Sequence, residues 1–458
     1  MVKENIFDIQ DSYFLYDSLF TCNFVIKIFL RTSRTLSIIL KPIEHCTGKP
    51  DTRIMKAQGK IYIKTSERED DFLPTVTCIF AFAKTFGIPT YGGKVALIMS
   101  VTILVMLIIL EISSIWKLVR TLNGWDQNPN GSVIARLSGS IFYGNGLLSM
   151  LITWKLAREW RSLSKLWLEL ETKCNLHFPP NTKIRRRLLF VAGYTVFCAF
   201  VEHMLSMMSS TGLDCPPQKY FERYILSSHG FLITKHEYTL WLAIPIFILS
   251  KLATVLWNFQ DLIIILISMG LASRYNRLNV FLRRLVMYEN DMKAHNLQQN
   301  LVKRVYLWRR LRIAYVHQSQ LVKRVDQCLG GLILLSNLNN LYFICLQLFL
   351  GISQEKGTVI NRIYYFYSLS WLLFRASGVL LAAGDVHLHS QKALPELYRC
   401  GSAAYNIEIK RLKYQLQHQI ISLSGMDLFY LSRQKLLEVA GAIVKYELIL
   451  LQYDKDRN

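Results

Sequence analysis

The chain is short of charge. Asp, Glu, Lys and Arg make up 19% of its 458 residues, where soluble chains carry about a quarter. With 52% hydrophobic residues and a mean hydropathy of +0.23, that shortage argues against the two or three soluble domains a chain this long could hold. Acidic residues are the scarcer sign, 32 against 54 basic ones, which leaves a formal net charge of +22. On a soluble domain such an excess would suggest nucleic acid. Here the bases sit between apolar runs and no RNA-binding signature appears. The expectation is a positive-inside membrane protein with no nucleic-acid partner.

Other absences narrow the chemistry. The nine cysteines (Cys22, Cys46, Cys78, Cys174, Cys198, Cys215, Cys328, Cys345 and Cys400) are scattered and odd in number. Only Cys215 falls in a loop assigned below to the outside, so no disulfide framework follows. Zinc-ligand spacing, clustered His/Cys/Asp and a nucleophile elbow are all missing, which predicts neither an enzyme nor a metal or cofactor. The first residues mix acids and bases instead of leading from a basic stretch into a short apolar core, so they do not read as a secretory signal. There is no internal repeat, which weighs against a transporter built from repeated, interrupted helices.

What the chain does have is long apolar runs. A spanning helix needs about 20 mostly apolar residues, and seven stretches qualify: 94–116, 133–156, 188–210, 238–270, 328–352, 362–385 and 425–453. The expected fold is therefore an all-α, polytopic seven-helix bundle. The aromatic share of 12% fits interfacial belts and aromatic-lined cavities. Segment 72–91 falls short of a span because it holds Pro74, Lys84, Gly87 and Pro89, and reads as interfacial or re-entrant. The resulting division is an N-terminal region 1–71, the segment 72–91, spans one to four within 92–270, a basic segment 271–327, spans five and six within 328–385, a second such segment 386–424, and the last span with a short tail in 425–458.

The loops set direction. Arg158, Arg161, Lys165, Lys173, Lys183, Arg185, Arg186 and Arg187 follow the second span. A longer basic series from Arg274 to Arg324 follows the fourth, and Lys392, Arg399, Lys410, Arg411 and Lys413 follow the sixth. The alternate loops 117–132, 211–237 and 353–361 are nearly balanced. Lys and Arg accumulate on the cytoplasmic side, so the N-terminus is expected inside and the C-terminus outside, opposite to a G-protein-coupled receptor. The sequon Asn130-Gly131-Ser132 lies in a loop assigned outside, making Asn130 a candidate glycosylation acceptor. Within 271–327, Leu301, Val305, Trp308, Leu311 and Tyr315 recur at helical spacing. The fourth and fifth spans are thus expected to continue as helices into the cytoplasm. Spacing alone leaves open whether they pack into a platform with other subunits or lie on anionic lipid.

The last span carries specific motifs. It reads Gly425-Met426-Asp427-Leu428-Phe429-Tyr430-Leu431-Ser432-Arg433, then Ala440-Gly441-Ala442-Ile443-Val444-Lys445-Tyr446-Glu447, and ends Leu448-Ile449-Leu450-Leu451-Gln452-Tyr453. This resembles the end of insect gustatory receptors, where Thr-Tyr, five mostly apolar residues and Gln-Phe close the chain. Glu after the Tyr is similar to the sugar-receptor branch. So are Ile141-Phe142-Tyr143 with Leu156-Ala157-Arg158-Glu159-Trp160 and Leu166-Trp167, Trp257-Asn258-Phe259-Gln260-Asp261-Leu262 with Gly270-Leu271-Ala272-Ser273-Arg274-Tyr275, and Asn339-Asn340-Leu341-Tyr342-Phe343-Ile344-Cys345-Leu346-Gln347. The resemblance runs from about residue 72 to the end. It implies a taste receptor of chemosensory neurons in the plasma membrane. Such a receptor is a cation channel passing monovalent and divalent ions, gated by a sugar or polyol or by another tastant. It assembles as a homotetramer or as a heterotetramer with related subunits, the last helix of each lining one pore.

Helix positions three, four and seven apart share a face. Counting back from Gln452 gives Ile449, Leu448 and Lys445, with Tyr453 beside them, and the resemblance makes this the pore lining. The alternative is a helix packing against its neighbours with Gln452 at the outer interface. Tyr453 stands where the family has Phe, and Lys445 where it has Thr. Four ammonium groups in a homotetramer would oppose cation passage, unless Lys445 turns aside, loses its proton by crowding, or works beside partners carrying Thr. For the ligand, polar and ionisable residues inside spans are the default candidates, since sugars need aromatic faces together with a few placed polar groups. Glu202, His203, Trp257, Asp261, Tyr365 and Trp371 are the candidates. The structural alternatives are an aromatic belt over 364–367, ion pairs among Lys251, Asp261 and Arg375, and Asn residues bonding across helices.

Overall fold

The computed structural model describes residues 71–88, 94–125, 133–174, 176, 181, 183–212, 214–291, 301–352, 358–402 and 405–455. The expectations for residues 1–70 and for the sequon at Asn130 lie outside them. The helices in chain order are α1 (Phe72–Ala83), α2 (Lys94–Leu122), α3 (Val133–Cys174), α4 (Ile184–Thr211), α5 (Tyr220–Ser228) and α6 (Leu240–Asp291). They continue with α7 (Leu301–Ile352), α8 (Val359–Gln391), α9 (Ala393–Tyr398), α10 (Ile407–His418) and α11 (Lys435–Lys455). Among the described residues the only strand-like pairing is one antiparallel bridge, Ser424 to Tyr430. The fold is all-α.

Among the described residues five helices are long and apolar enough to cross a membrane: α2, α4, α6, α7 and α8. The two other stretches expected as spans are helical but more polar. Helix α3 carries Asn145, Ser149 and Thr153, all buried, and α11 carries Lys435, Glu438 and Lys445. Helix α3, which turns these polar side chains toward its neighbours, does not need an apolar surface all round.

Burial sorts the helices into layers. Helix α2 buries only Ser100, Leu107, Leu110 and Ser114, a single stripe at helical spacing, and exposes Val95, Ile98, Ile109 and Ile112. A lipid-facing helix has this distribution. By contrast α6 buries every residue from Asn258 to Ser268, and α8 every residue from Ser377 to Val386. Helices apolar on all sides belong inside a bundle, and these two form its centre. The short α1 lays Phe72 on Trp167 (ring centroids 4.7 Å apart) and Phe80 on Trp160 (5.2 Å), so segment 72–83 is docked on α3.

Helices α6 and α7 have 52 residues each, about 80 Å at 1.5 Å per residue against a hydrocarbon core of about 30 Å. The expected extensions over 271–291 and 301–327 are thus continuous helix. At this base of the molecule they pack through Trp308, Leu311 and Tyr315, all at most 1% exposed, the stripe visible in the sequence. Charges there are paired. Glu289 of α6 pairs with Arg304 of α7 and accepts from Trp308 Nε1 at 3.1 Å. Glu171 of α3 holds both Arg274 and Arg277. Glu408 of α10 joins Arg312 (2.6 Å) to Arg411 (3.0 Å).

The last helix departs from expectation at its start. It begins at Lys435, not at 425, because the preceding segment forms a hairpin. Leu431 N–H donates to Leu423 O at 2.8 Å and Gly425 N–H to Phe429 O at 3.0 Å. At its tip Met426 (φ 55) and Asp427 (φ 59) are left-handed, a conformation costing about 1–3 kcal/mol per non-glycine residue. Serines supply the competing bonds that divert the chain from helix. Ser424 donates its N–H (2.6 Å) and hydroxyl (2.8 Å) to Asp326 of α7, and Ser422 donates to Leu431 O. Two close approaches seat the hairpin: a methyl on Gly330 would meet Met426 N at 3.1 Å, and one on Gly384 would meet Arg433 N at 3.0 Å.

Removing one partner of a buried ion pair leaves the other uncompensated, at a cost of about 3–5 kcal/mol. Glu289→Ala, with Arg304 only 8% exposed, is expected to lower stability by about that amount in thermal unfolding of the detergent-solubilised chain. Arg399→Ala, whose side chain is 72% exposed, is expected to change it by under about 1 kcal/mol. Equal effects would refute the burial argument.

Candidate ligand pocket and terminal helix

Helices α6, α7 and α8 meet at a polar layer deep in the bundle. Arg375 Nε of α8 lies 2.6 Å from Asp261 Oδ2 of α6, with side chains 4% and 0% exposed. Asp261 also accepts from the Ser336 hydroxyl at 2.5 Å and from Asn340 Nδ2 at 3.3 Å, both on α7. Arg375 donates onward to Asn258 Oδ1 at 2.7 Å. Its guanidinium lies 4.5 Å from the Trp257 ring centroid, and Trp257 Nε1 donates to Asn340 Oδ1 at 3.2 Å. Two of the ligand candidates, Trp257 and Asp261, thus belong to one network. Of the three residues open to structural ion pairing, Asp261 and Arg375 pair, and among the described residues Lys251 has no acidic partner.

A second layer lies toward the end of the bundle closed by α5. Glu202 and His203 are neighbours on α4 and so diverge. Glu202 turns to α8, accepting from Ser368 at 2.7 Å, and Ser368 in turn accepts from Gln347 of α7 at 2.9 Å. His203 turns to α6, with Nδ1 3.2 Å from Lys251 Nζ. Lys251 donates to the Tyr224 hydroxyl at 2.6 Å, and His229 Nδ1 lies 3.4 Å from the Tyr143 hydroxyl. Tyr365 packs over Gly351, where an added methyl would push its phenol aside. Trp371 is buried but directed elsewhere, stacked on Phe374 at 5.8 Å and edge-on to Tyr194 at 6.2 Å.

Tyr224 and His229 escaped the sequence reading because they lie in 211–237, which appears there only as a charge-balanced loop. Their signal was the amphipathic run Tyr220–Ser228 inside that loop, which folds as α5 and buries Tyr224 and Ile225. The loop is fastened to α2, since Lys117 Nζ donates to Leu232 O at 2.5 Å and to Glu237 Oε2 at 2.9 Å. Glu237 also accepts from Thr234 N–H at 3.0 Å.

On α11, Leu436 and Ile443 are buried against the bundle. Lys445, Ile449 and Gln452 are exposed on the other side, the stripe drawn from spacing. The side chains of Leu448 and Tyr453 are outside the described ones.

These layers, held between helices fit to cross a bilayer, define a multi-pass helical membrane protein with polar sites inside its bundle. Residues 94–458 match the family described as trehalose receptor. The gustatory receptor for sugar taste 64a of Drosophila melanogaster is 30% identical over 331 residues, 69% of this chain and 69% of its own. The same fly's gustatory receptor 5a for trehalose is 28% identical over 318 residues, 67% of this chain and 68% of its own. Among solved structures, the insect olfactory receptor OR5 from Machilis hrabei superposes with a TM-score of 0.61 at 12% identity, covering 84% of this chain and 100% of that one, a likeness of fold alone. The chain belongs to the sugar-receptor branch of the insect gustatory receptors. Membership makes it a chemosensory receptor and not an enzyme.

The hydrogen bond from Lys117, then that from Thr234 N–H, holds the Glu237 carboxyl down to about 2. A lowered folded value means the contact is at full strength above the ordinary carboxylate range near ~4.3 and is lost as pH falls through the folded value. Hydrogen exchange of 229–238 is therefore expected to stay constant from neutral pH to about 5 and to rise, relative to the base, only below about 4. Glu237→Gln should raise it already at neutral pH. A transition above pH ~5 would contradict the assignment.

Proposed function

We propose that this receptor is a subunit of a cation channel opened by sugars or related polyols. In this reading seven spans (α2, α3, α4, α6, α7, α8 and α11) cross the plasma membrane of a chemosensory neuron. The N-terminus and the base formed by 271–327 and 386–424 lie in the cytoplasm, and segment 72–91 stays at the interface. The positive-inside pattern supports the orientation. Four subunits, alike or mixed, gather their α11 helices around one pore lined by Lys445, Leu448, Ile449, Gln452 and Tyr453. The observation that carries this is the two-sidedness of α11. One face is buried on its own bundle and the other, with Lys445, Ile449 and Gln452, is left open along the helix.

The ligand occupies the layer under α5. Glu202 and His203 make polar contacts and Tyr365 supplies an aromatic wall, while Trp257 and Asp261 act from the deeper layer through Arg375 and Trp371 through its packing on Phe374. The branch supports the ligand class: one relative is a receptor for trehalose and others are receptors for sugar taste.

The test is calcium imaging and patch recording of cells expressing the chain alone and with related subunits, across a panel of neutral sugars and polyols. A graded cation current to at least one sugar is expected. Surface expression without current to any of them, alone or with partners, would overturn the reading. Lys445→Thr is expected to increase homomeric cation current several-fold. Unchanged conductance and selectivity would mean that Lys445 does not line the pore.

A further inference from the structure

Lys251 is a cation set into the bundle, and among the described residues no carboxylate pairs with it. Its ammonium donates to the Tyr224 hydroxyl at 2.6 Å and approaches His203 Nδ1 at 3.2 Å. It also lies 4.8 Å from the ring centroids of both Tyr224 and Phe247. Hydroxyl, imidazole and ring faces are all neutral. Glu202, next to His203 on α4, is engaged with Ser368, Asp261 with Arg375 and Glu237 with Lys117. Beside the ammonium stands His229, 5% exposed, edge-on to Tyr224 at 6.0 Å between centroids. Its Nδ1 faces the Tyr143 hydroxyl, and its Nε2 has no partner.

A charged group held within a span is costly, and such groups mark ligand paths. Lysine serves such sites as a point charge, binding anions by charge-assisted hydrogen bonds. A neutral sugar would satisfy hydrogen bonds here but leave the charge uncompensated. We propose that the cluster Lys251, His203, Tyr224 and His229 is a subsite for the carboxylate of an acidic polyol, a sugar acid such as an aldonate or uronate. Lys251 is its counter-charge, and Tyr224 and His229 are its hydrogen-bonding walls. The proposal rests on the reading of this layer as a polyol pocket and adds a charge to the ligand.

The experiment is thermal unfolding of the purified full chain in detergent, which needs no conducting homomer. Glucose, gluconate and glucuronate are titrated as sodium salts or with matched sodium chloride, with acetate as the plain anion. The sugar acids are expected to reach half-maximal stabilisation at about a tenth of the glucose concentration or less, a factor worth about one charge-assisted hydrogen bond. Lys251→Gln should bring that ratio to near unity, and Lys251→Arg should keep it above unity. Glucose matching or outdoing the acids in the unaltered chain overturns the proposal and leaves the sugar reading standing. So does a preference for acids that survives Lys251→Gln. Acetate matching gluconate overturns the polyol part, leaving a simple anion site. Silence toward every polyol, neutral and acidic, overturns this proposal and the sugar reading together. If Lys251→Gln does not fold, the ratio in the unaltered chain and in Lys251→Arg decides.

Discussion

Asp261 and Arg375 face each other across the centre of the bundle where water has no access. Burying two charges costs several kcal/mol each, repaid only when every remaining donor and acceptor is met. Partners come from three helices at once: Ser336 and Asn340 on α7, Asn258 and Trp257 on α6, and Arg375 itself on α8. The pair therefore dictates the rotation of each helix about its own axis. That rotation decides which side chains reach the layer above. Asn340 anchors Trp257 to α7, and α8, fixed by Arg375, presents Ser368 to Glu202.

The same two helices that complete this network also hold the start of α11. Asp326 of α7 binds Ser424, and Asp385 of α8 binds Arg433 at 2.6 Å. Each carboxylate lies about 15 Å along its helix from the central layer, ten residues at 1.5 Å apiece. The hairpin is thus suspended from α7 and α8 at once, and α11 follows directly from it. A shift between those helices at the upper layer cannot leave the hairpin untouched, because packed interiors transmit displacement instead of absorbing it.

Much of this was legible in the sequence, and for identifiable reasons. Hydropathy located the helices because a crossing needs about 20 mostly apolar residues in a row. The spacing of Trp308, Leu311 and Tyr315 revealed the base because helical periodicity survives outside the membrane. The exposed stripe Lys445, Ile449 and Gln452 followed from the same geometry. The hairpin did not, since its apolar residues Leu423, Leu428 and Leu431 read as span, while the serines that divert it act through Asp326, distant in sequence. Nor did the partition of the candidate pocket residues, because whether a lysine faces a carboxylate or a tyrosine depends on helix rotation, which a linear count does not contain. Tyr224 and His229 were hidden for a related reason: a short helix that folds back over the bundle has no hydropathy signature of its own.

The two longest helices have one mechanical consequence. At about 80 Å, α6 is held near mid-length by the Asp261–Arg375 pair, and α7 about two-thirds along by the hydrogen bonds of Ser336 and Asn340. Pivoting by about 3° about that pair, α6 carries each tip sideways by about 2 Å, the size of step by which helices shift in switching proteins. A small closure around a bound molecule at one end would thus reappear, reversed in direction, among the paired charges at the other.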